Sequence, residues 1–277
     1  MLPEPAGQSS GLVRGADMNE LLLQTATDAA ARSADLLVDA WADRSVLSTK
    51  SSATDVVTQM DRDSETLLVE AIRAARPEDA VLGEEGGSRA GTSGVTWVID
   101  PLDGTVNYLY GLPMWAVSVG VLVDGEPTIG VVHAPALGCV WRGVAGEQPM
   151  AEANGSPIAP SGCQSLDRAL LGTGFGYEAD VRSQQGRVLA QILPEVRDVR
   201  RAGAAAVDMC WVAQGRLDAY FERGTHLWDR AAATAICRAV GISVGGLDGG
   251  PATDEMTIAA NTALFDPLRI LLAGAGA

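Results

Sequence analysis

Apolar residues recur at helical spacing early in the chain. Leu22, Ala26, Ala29, Leu36, Leu37, Ala40 and Trp41, with small Ser33 closing the gap, predict a long first helix over residues 17–44. Asp17 followed by Glu20 gives it a capping-box start. A second helix is predicted over residues 61–75, with Leu67, Leu68, Ala71 and Ile72 inward and Pro77 ending it. The pattern then changes period. Short apolar or β-branched runs at 80–83, 95–99, 115–123, 128–133 and 139–144 predict strands. Asp124-Gly125 is a hairpin signal, because both central residues of such a turn take positive φ. Asn154-Gly155 marks another turn.

Beyond Ser161 the pattern alternates. Strands are predicted at 169–172, 198–200, 217–221 and 257–260. Helices are predicted at 181–193 (stopped by Pro194), 203–214, 226–240 (ended by Gly241) and 263–272. Alternation together with hairpins argues for mixed sheets layered with helices, an α/β arrangement of the α+β, mixed-sheet kind. The chain divides into a Pro-, Gly- and Ser-rich segment at 1–15, expected to be mobile, an N-terminal α/β half at 16–160 and a C-terminal α/β half at 161–277.

Composition narrows the function. The 277 residues are 47% hydrophobic and 20% charged, with a formal net charge of −15. That is ordinary globular material. So acidic a surface repels nucleic acid and anionic lipid, and neither is expected as a partner. The acidity serves solubility, or gathers carboxylates at a cation site. Cys139, Cys163, Cys210 and Cys237 form no C-x-x-C pair and read as reduced thiols of a cytoplasmic protein. No basic-then-apolar start and no run of ~18 apolar residues is present, so neither a signal peptide nor a membrane span is expected.

The chemistry concentrates in Trp97-Val98-Ile99-Asp100-Pro101-Leu102-Asp103-Gly104-Thr105. An apolar strand ends at Asp100, and acids at a strand's C-terminal end face the crevice where α/β sheets bind ligands. Asp100, Asp103 and the Leu102 carbonyl offer a hard cation three oxygens. Gly104 permits close approach of the chain, and a helix opening at Thr105 would offer N–H groups to phosphate. Asp-Pro and Asp-Gly are equally good turn formers, so D-x-x-D alone leaves turn and metal open. Glu84-Glu85 on a Gly-rich loop reads as a solvated loop or a cation ligand. Asp229 and Asp61, each at a helix start, read as caps or as site residues.

Taken together, these motifs resemble the inositol monophosphatase family over nearly the whole chain. Residues 50–55 leading to Asp61, the Gly83-Glu84-Glu85 loop, the stretch from Trp97 through Thr105 to Asn107, and Trp228-Asp229-Arg230-Ala231-Ala232 are similar to that family's four ordered signatures. The resemblance implies an αβαβα layered sandwich, commonly a homodimer. It implies Glu84, Asp100, Asp103, Asp229 and the Leu102 carbonyl as ligands of two or three Mg²⁺ ions. Asp100 would bridge two of them, and Glu84 would share a weaker third. Asp61 and Thr105 would position the attacking water, which makes Asp61, Glu84 and Thr105 the catalytic set. Gly104 and Thr105 would receive the phosphate. Gly203, Ala204, Ala205, Glu222 and Asp229 would line the polyol site. Lithium inhibition is a family trait.

By that resemblance the substrate is a small phosphorylated polyol, inositol 1-phosphate first. Histidinol phosphate, fructose 1,6-bisphosphate and 3′-phosphoadenosine phosphates remain open, as does a non-catalytic regulatory relative. Ala204 stands where the family often has a hydroxyl, and residues 204–206 and Glu222 also read as plain packing and surface. His226 reads as a supporting group, and Arg200-Arg201 as a solvated pair or as residues that face substrate or a dimer partner. Trp41, Trp97, Trp141 and Trp211 read as packing residues.

Overall fold

The first stripe of apolar positions forms α1 (Ser9–Ala40), and the second forms α2 (Gln59–Ala75). Between them lie the paired strands β1 (Val46–Thr49) and β2 (Val56–Thr58). The structure is a computed structural model that describes residues 9–41, 46–49 and 56–277. Residues 50–55, singled out in the sequence, and residues 1–8 lie outside the described residues. Helix α1 starts at Ser9, so Asp17 lies inside it and caps nothing. A cap residue marks a permitted helix start, not an obligatory one, and no proline stands between Ser9 and Asp17 to stop the helix.

A seven-stranded sheet follows, in the order β3 (Ala80–Gly83), β4 (Val95–Asp103), β5 (Ala116–Val123), β6 (Glu126–Ala134), β7 (Cys139–Val144), β8 (Met150–Ala153), β9 (Ser156–Pro157). Strands β3 and β4 are parallel, and every other neighbour is antiparallel. The β5–β6 hairpin turns at Asp124 (φ 51°) and Gly125 (φ 85°), as its sequence predicts. The short α3 (Thr105–Tyr110) joins β4 to β5. The second half supplies β10 (Leu170–Thr173), α4 (Ala179–Ile192), β11 (Asp198–Arg200), α5 (Ala205–Ala213), β12 (Ala219–Glu222), α6 (Leu227–Ala239), β13 (Ser243–Gly245), β14 (Thr257–Ala260) and α7 (Phe265–Gly274). Its sheet runs β11-β10-β12-β14-β13, parallel across the first three strands and antiparallel across the rest.

Three cores separate the layers. Leu22, Leu37, Leu68 and Ile72 of α1 and α2 pack on Trp97, Val119 and Ile129 of the large sheet. On its other face Val132 and Trp141 meet Met209 and Val212 of α5 and Ala232 and Ile236 of α6. Leu171, Phe221 and Ile258 of the smaller sheet meet Ile192 of α4 and Leu268 and Leu272 of α7. The stacking is therefore helices, sheet, helices, sheet, helices, the predicted αβαβα sandwich. Strand β4 is covered on both faces, which is why it reads as a continuous apolar run instead of an alternating one.

Helix α6 lies against the large sheet through a row of glycines. Gly120 of β5 is in register with Gly130 of β6, and Gly130 with Gly143 of β7. A Cβ added at Gly130 would stand 1.9 Å from the Ala232 carbonyl oxygen. One at Gly120 would stand 2.8 Å from the Ala232 nitrogen, and one at Gly143 2.8 Å from the Ile236 Cα. The row makes a trough that admits helix backbone, and α6 answers it with Ala231, Ala232, Ala233 and Ala235, all buried.

The buried stripe of α2 also differs from the apolar count. It consists of Asp61, Ser64, Glu65, Leu68 and Ile72, at i, i+3, i+4, i+7 and i+11. Its C-terminal half is ordinary core. Its N-terminal half is polar and lies toward the end of β4, where the Ser64 hydroxyl donates to the Pro101 carbonyl at 3.0 Å.

Candidate active site

Strand β4 carries both aspartates at its C-terminal end. It extends to Asp103, beyond the predicted limit of 99, and its pairing with β5 shifts register between Asp100 and Asp103. Asp100 is 2% exposed. One of its oxygens accepts the Leu102 N–H at 3.0 Å. The Thr105 hydroxyl donates to the Leu102 carbonyl at 3.0 Å, closing the turn. Gly104 holds φ 88°, and a Cβ there would meet the Met114 carbonyl oxygen at 2.7 Å, so only glycine fits.

Asp103 joins the two halves of the chain. Its carboxylate accepts the backbone N–H groups of Ala205 (3.1 Å) and Ala206 (2.8 Å) at the start of α5. The N-cap residue of α5 is Ala204, which has no side-chain acceptor, so Asp103 fills that role from a distant strand. Asn107 reinforces the junction by donating to the Met114 and Ala202 carbonyls at 2.6 and 2.9 Å.

Asp229 sits at the third position of α6. The N-cap is His226, whose N–H donates to the Asp229 carboxylate at 2.6 Å in a capping box. Asp254, which the sequence does not single out, clamps this corner. Its carboxylate bonds the His226 Nδ1 at 2.9 Å and a guanidinium nitrogen of Arg230 at 3.1 Å, and its carbonyl accepts the Gly224 N–H at 2.8 Å. Burial raises the Asp254 carboxyl, but the bonds from His226 and Arg230 outweigh it and hold the group below the usual range.

These elements enclose a cleft of about 450 Å³. Glu84, Asp100, Leu102, Asp103, Gly104, Thr105, Gly203, Ala205, Glu222 and Asp229 all line it, as do Arg201, Arg223, Tyr177 and His226. Two predicted residues do not. Asp61 is buried, 3% exposed, one turn before Ser64 on α2, and Ala204 lies 2% exposed beneath Gly104. Arg200 pairs with Asp198, whereas Arg201 reaches the cleft. Sequence reading could not separate two adjacent arginines.

Five carboxylates line the cleft against two guanidiniums. Burial raises Asp100 well above the usual carboxylate range, and repulsion from Glu84, Asp103 and Asp229 adds to it. Burial lifts Asp103 to about 7; the two N–H bonds from α5 oppose this, while Glu222 and Glu84 add to it. Asp229 is raised by burial and then by Glu84 and Asp103. Glu222 is raised by burial, partly offset by the Tyr220 hydroxyl, which donates to it at 2.7 Å, and by Arg201. Among the described residues no three His, Cys, Asp or Glu side chains already close into a metal cage. The fit lies in the donor type and the field. The acid wall offers only oxygen donors, the chemistry of a hard divalent cation, and a cation there turns mutual repulsion into attraction.

Asp208, behind the cleft, is 1% exposed with one oxygen lacking a hydrogen-bond partner among the described residues. Burial, with Glu222 and Asp103 nearby, raises it to about 8. A carboxyl raised this way favours the folded state fully below its unfolded value near 3.8, and loses that contribution as pH climbs toward 8. In EDTA, the urea midpoint of Asp208→Asn is therefore expected to gain on that of the parent between pH 5 and pH 8. A constant difference across that range would show that Asp208 is not held protonated.

A layered α/β chain with an acid-walled cleft between its two halves is the class that fold and site define. Residues 18–272 match the sequence model of the family described as the inositol monophosphatase family, and the chain belongs to that family. It is 46% identical over 202 residues to the inositol-1-monophosphatase SuhB of Mycobacterium tuberculosis, covering 70% of each chain. It is 35% identical over 232 residues to the Nus factor SuhB of Pasteurella multocida, covering 83% of this chain and 86% of that one. Among solved structures, the inositol monophosphatase of Anabaena superposes with a TM-score of 0.80 at 31% identity, covering 92% of this chain and 96% of that one.

Proposed function

We propose that the chain hydrolyses a small phosphate monoester, inositol 1-phosphate foremost, to the free alcohol and phosphate in a Mg²⁺-dependent reaction. The observation that supports this most directly is the meeting of Glu84, Asp100, Asp103 and Asp229 with Gly104 and Thr105 in one cleft, facing Glu222 and Gly203. Glu84, Asp100, Asp103, Asp229 and the Leu102 carbonyl would hold the cations. Bound there, Mg²⁺ supplies water of lowered pKa and positive charge for the phosphoryl oxygens. The N–H groups of Gly104 and Thr105 orient the phosphate. The Thr105 hydroxyl spends its proton on Leu102, so its lone pairs accept a hydrogen bond from the attacking water. Asp61, buried in the first turn of α2, would back Thr105 in positioning that water. Glu222, fixed by the Tyr220 hydroxyl, accepts bonds from the polyol.

The preference for inositol 1-phosphate draws on the mycobacterial relative's name. A second reading, a regulatory part, draws on the Pasteurella relative's name. Phosphate release separates them. With Mg²⁺, release is expected from a panel of inositol 1-phosphate, histidinol phosphate, fructose 1,6-bisphosphate and 3′-phosphoadenosine phosphate, with the highest kcat/KM for the first. EDTA is expected to abolish it. No release from any of the four with Mg²⁺ present would overturn the enzymatic reading.

A further inference from the structure

Glu65 is a buried acid that no catalytic step above uses. It lies in the polar half of the α2 stripe and is 6% exposed. No Lys, Arg or His pairs with it among the described residues. Instead both its oxygens take backbone N–H groups of the loop after β3: Oε2 accepts from Glu85 at 2.7 Å and Oε1 from Gly87 at 2.8 Å. The loop is shaped for this contact. A Cβ at Gly83 would stand 2.4 Å from Oε2, and one at Gly87 2.7 Å from Oε1. Gly86 makes the bend at φ 106°. Residues 83–87 thus wrap a carboxylate that comes from another element.

Glu84 sits inside this wrap, between Gly83, where any side chain would run into Oε2, and the anchored Glu85 N–H. We infer that Glu65 is a positioning residue that aims the Glu84 carboxylate into the cleft and so sets the cation affinity of the site. The inference rests on the reading of Glu84 as a cation ligand. A carboxylate is required chemically. It offers two acceptors to two converging donors, and charge strengthens both bonds. Glutamine presents one acceptor, and its NH₂ would face an N–H. Aspartate is one methylene too short to reach both donors.

A residue that only braced the loop would lower stability and leave cation affinity alone. Groups that orient metal ligands typically cost 10–100-fold in affinity when altered. The test is Glu65→Gln in the full chain, with Mg²⁺ binding measured by calorimetry and the Mg²⁺ half-saturation of phosphate release measured alongside. Both constants are expected to rise about 10–100-fold, with kcat at saturating Mg²⁺ within a few-fold of the parent. Glu70→Gln, on the exposed face of α2, is the control and is expected to change neither. Should Glu65→Gln fail to fold, Gly87→Ala disturbs the same contact from the loop side and is expected to weaken Mg²⁺ binding several-fold. Unchanged Mg²⁺ affinity in a folded Glu65→Gln or Gly87→Ala, with the parent binding Mg²⁺ normally, overturns the inference. A parent that neither binds Mg²⁺ nor releases phosphate overturns the functional reading instead.

Discussion

Asp100→Asn is expected to lower kcat/KM for phosphate release by about 10³-fold or more, on the scale of several kcal/mol of transition-state stabilisation at tenfold per 1.4 kcal/mol. The amide keeps the shape of the acid and can still accept the Leu102 N–H that Asp100 accepts at 3.0 Å. It removes only the charge. That charge is costly in the folded chain, because burial and the neighbouring Glu84, Asp103 and Asp229 push the Asp100 carboxyl well up. A raised carboxyl favours the folded state at low pH and loses that contribution as pH rises, and a neutral amide is free of the loss. In EDTA at neutral pH the variant should therefore be at least as stable as the parent, while with Mg²⁺ present its activity collapses. Unfolding curves beside turnover check both halves. Retained turnover with normal Mg²⁺ dependence would remove Asp100 from the proposed cation set. Asp103→Asn is less clean, since that carboxylate also holds the first N–H groups of α5 and an amide would satisfy only one of them.

Gly130→Ala is expected to destabilise the chain by about 3 kcal/mol, the upper range for an overpacked core methyl. For a chain of this size that is a fall in Tm of roughly 6–12 °C. The new Cβ would stand 1.9 Å from the Ala232 carbonyl oxygen and 2.7 Å from its carbon. Both are helix backbone, so relief requires moving α6 off the sheet. Asp229 starts that helix, so activity should fall with stability. Gly186→Ala tests the argument in the opposite direction. Gly186 is exposed within α4 with nothing near the added Cβ, so the change should raise stability by up to about 1 kcal/mol through helix propensity. Thermal unfolding of the two variants decides the matter. Equal, small effects would mean that the glycine row is not a packing trough.

The layered fold was legible where periodicity was strong. The β5–β6 hairpin, the apolar stripe of α1 and the alternation after Ser161 all appear where the pattern puts them. The pattern failed at boundaries and on mixed faces. Strands β8, β9 and β13 are not among the predicted strands. The inward face of α2 is legible in its C-terminal half, at Leu68 and Ile72, but not in its N-terminal half, where Asp61, Ser64 and Glu65 are buried against the logic of hydropathy, with hydrogen bonds of Ser64 to Pro101 and of Glu65 to the 85–87 loop in place of apolar contacts.

The sequence by itself determined the chemistry within single elements. Asp100, Leu102, Asp103, Gly104 and Thr105 stand at fixed separations along one strand end and turn, so their mutual placement follows from local backbone geometry. Tertiary structure alone decided what meets them. Asp103 caps α5 more than a hundred residues away, Glu65 holds the Glu84 loop, Asp254 clamps the corner before Asp229, and three glycines on neighbouring strands line up to admit α6. The reason is physical. Such contacts depend on the stacking of layers and the register of strands, and these are set by burial summed over the whole chain rather than by the residues that touch.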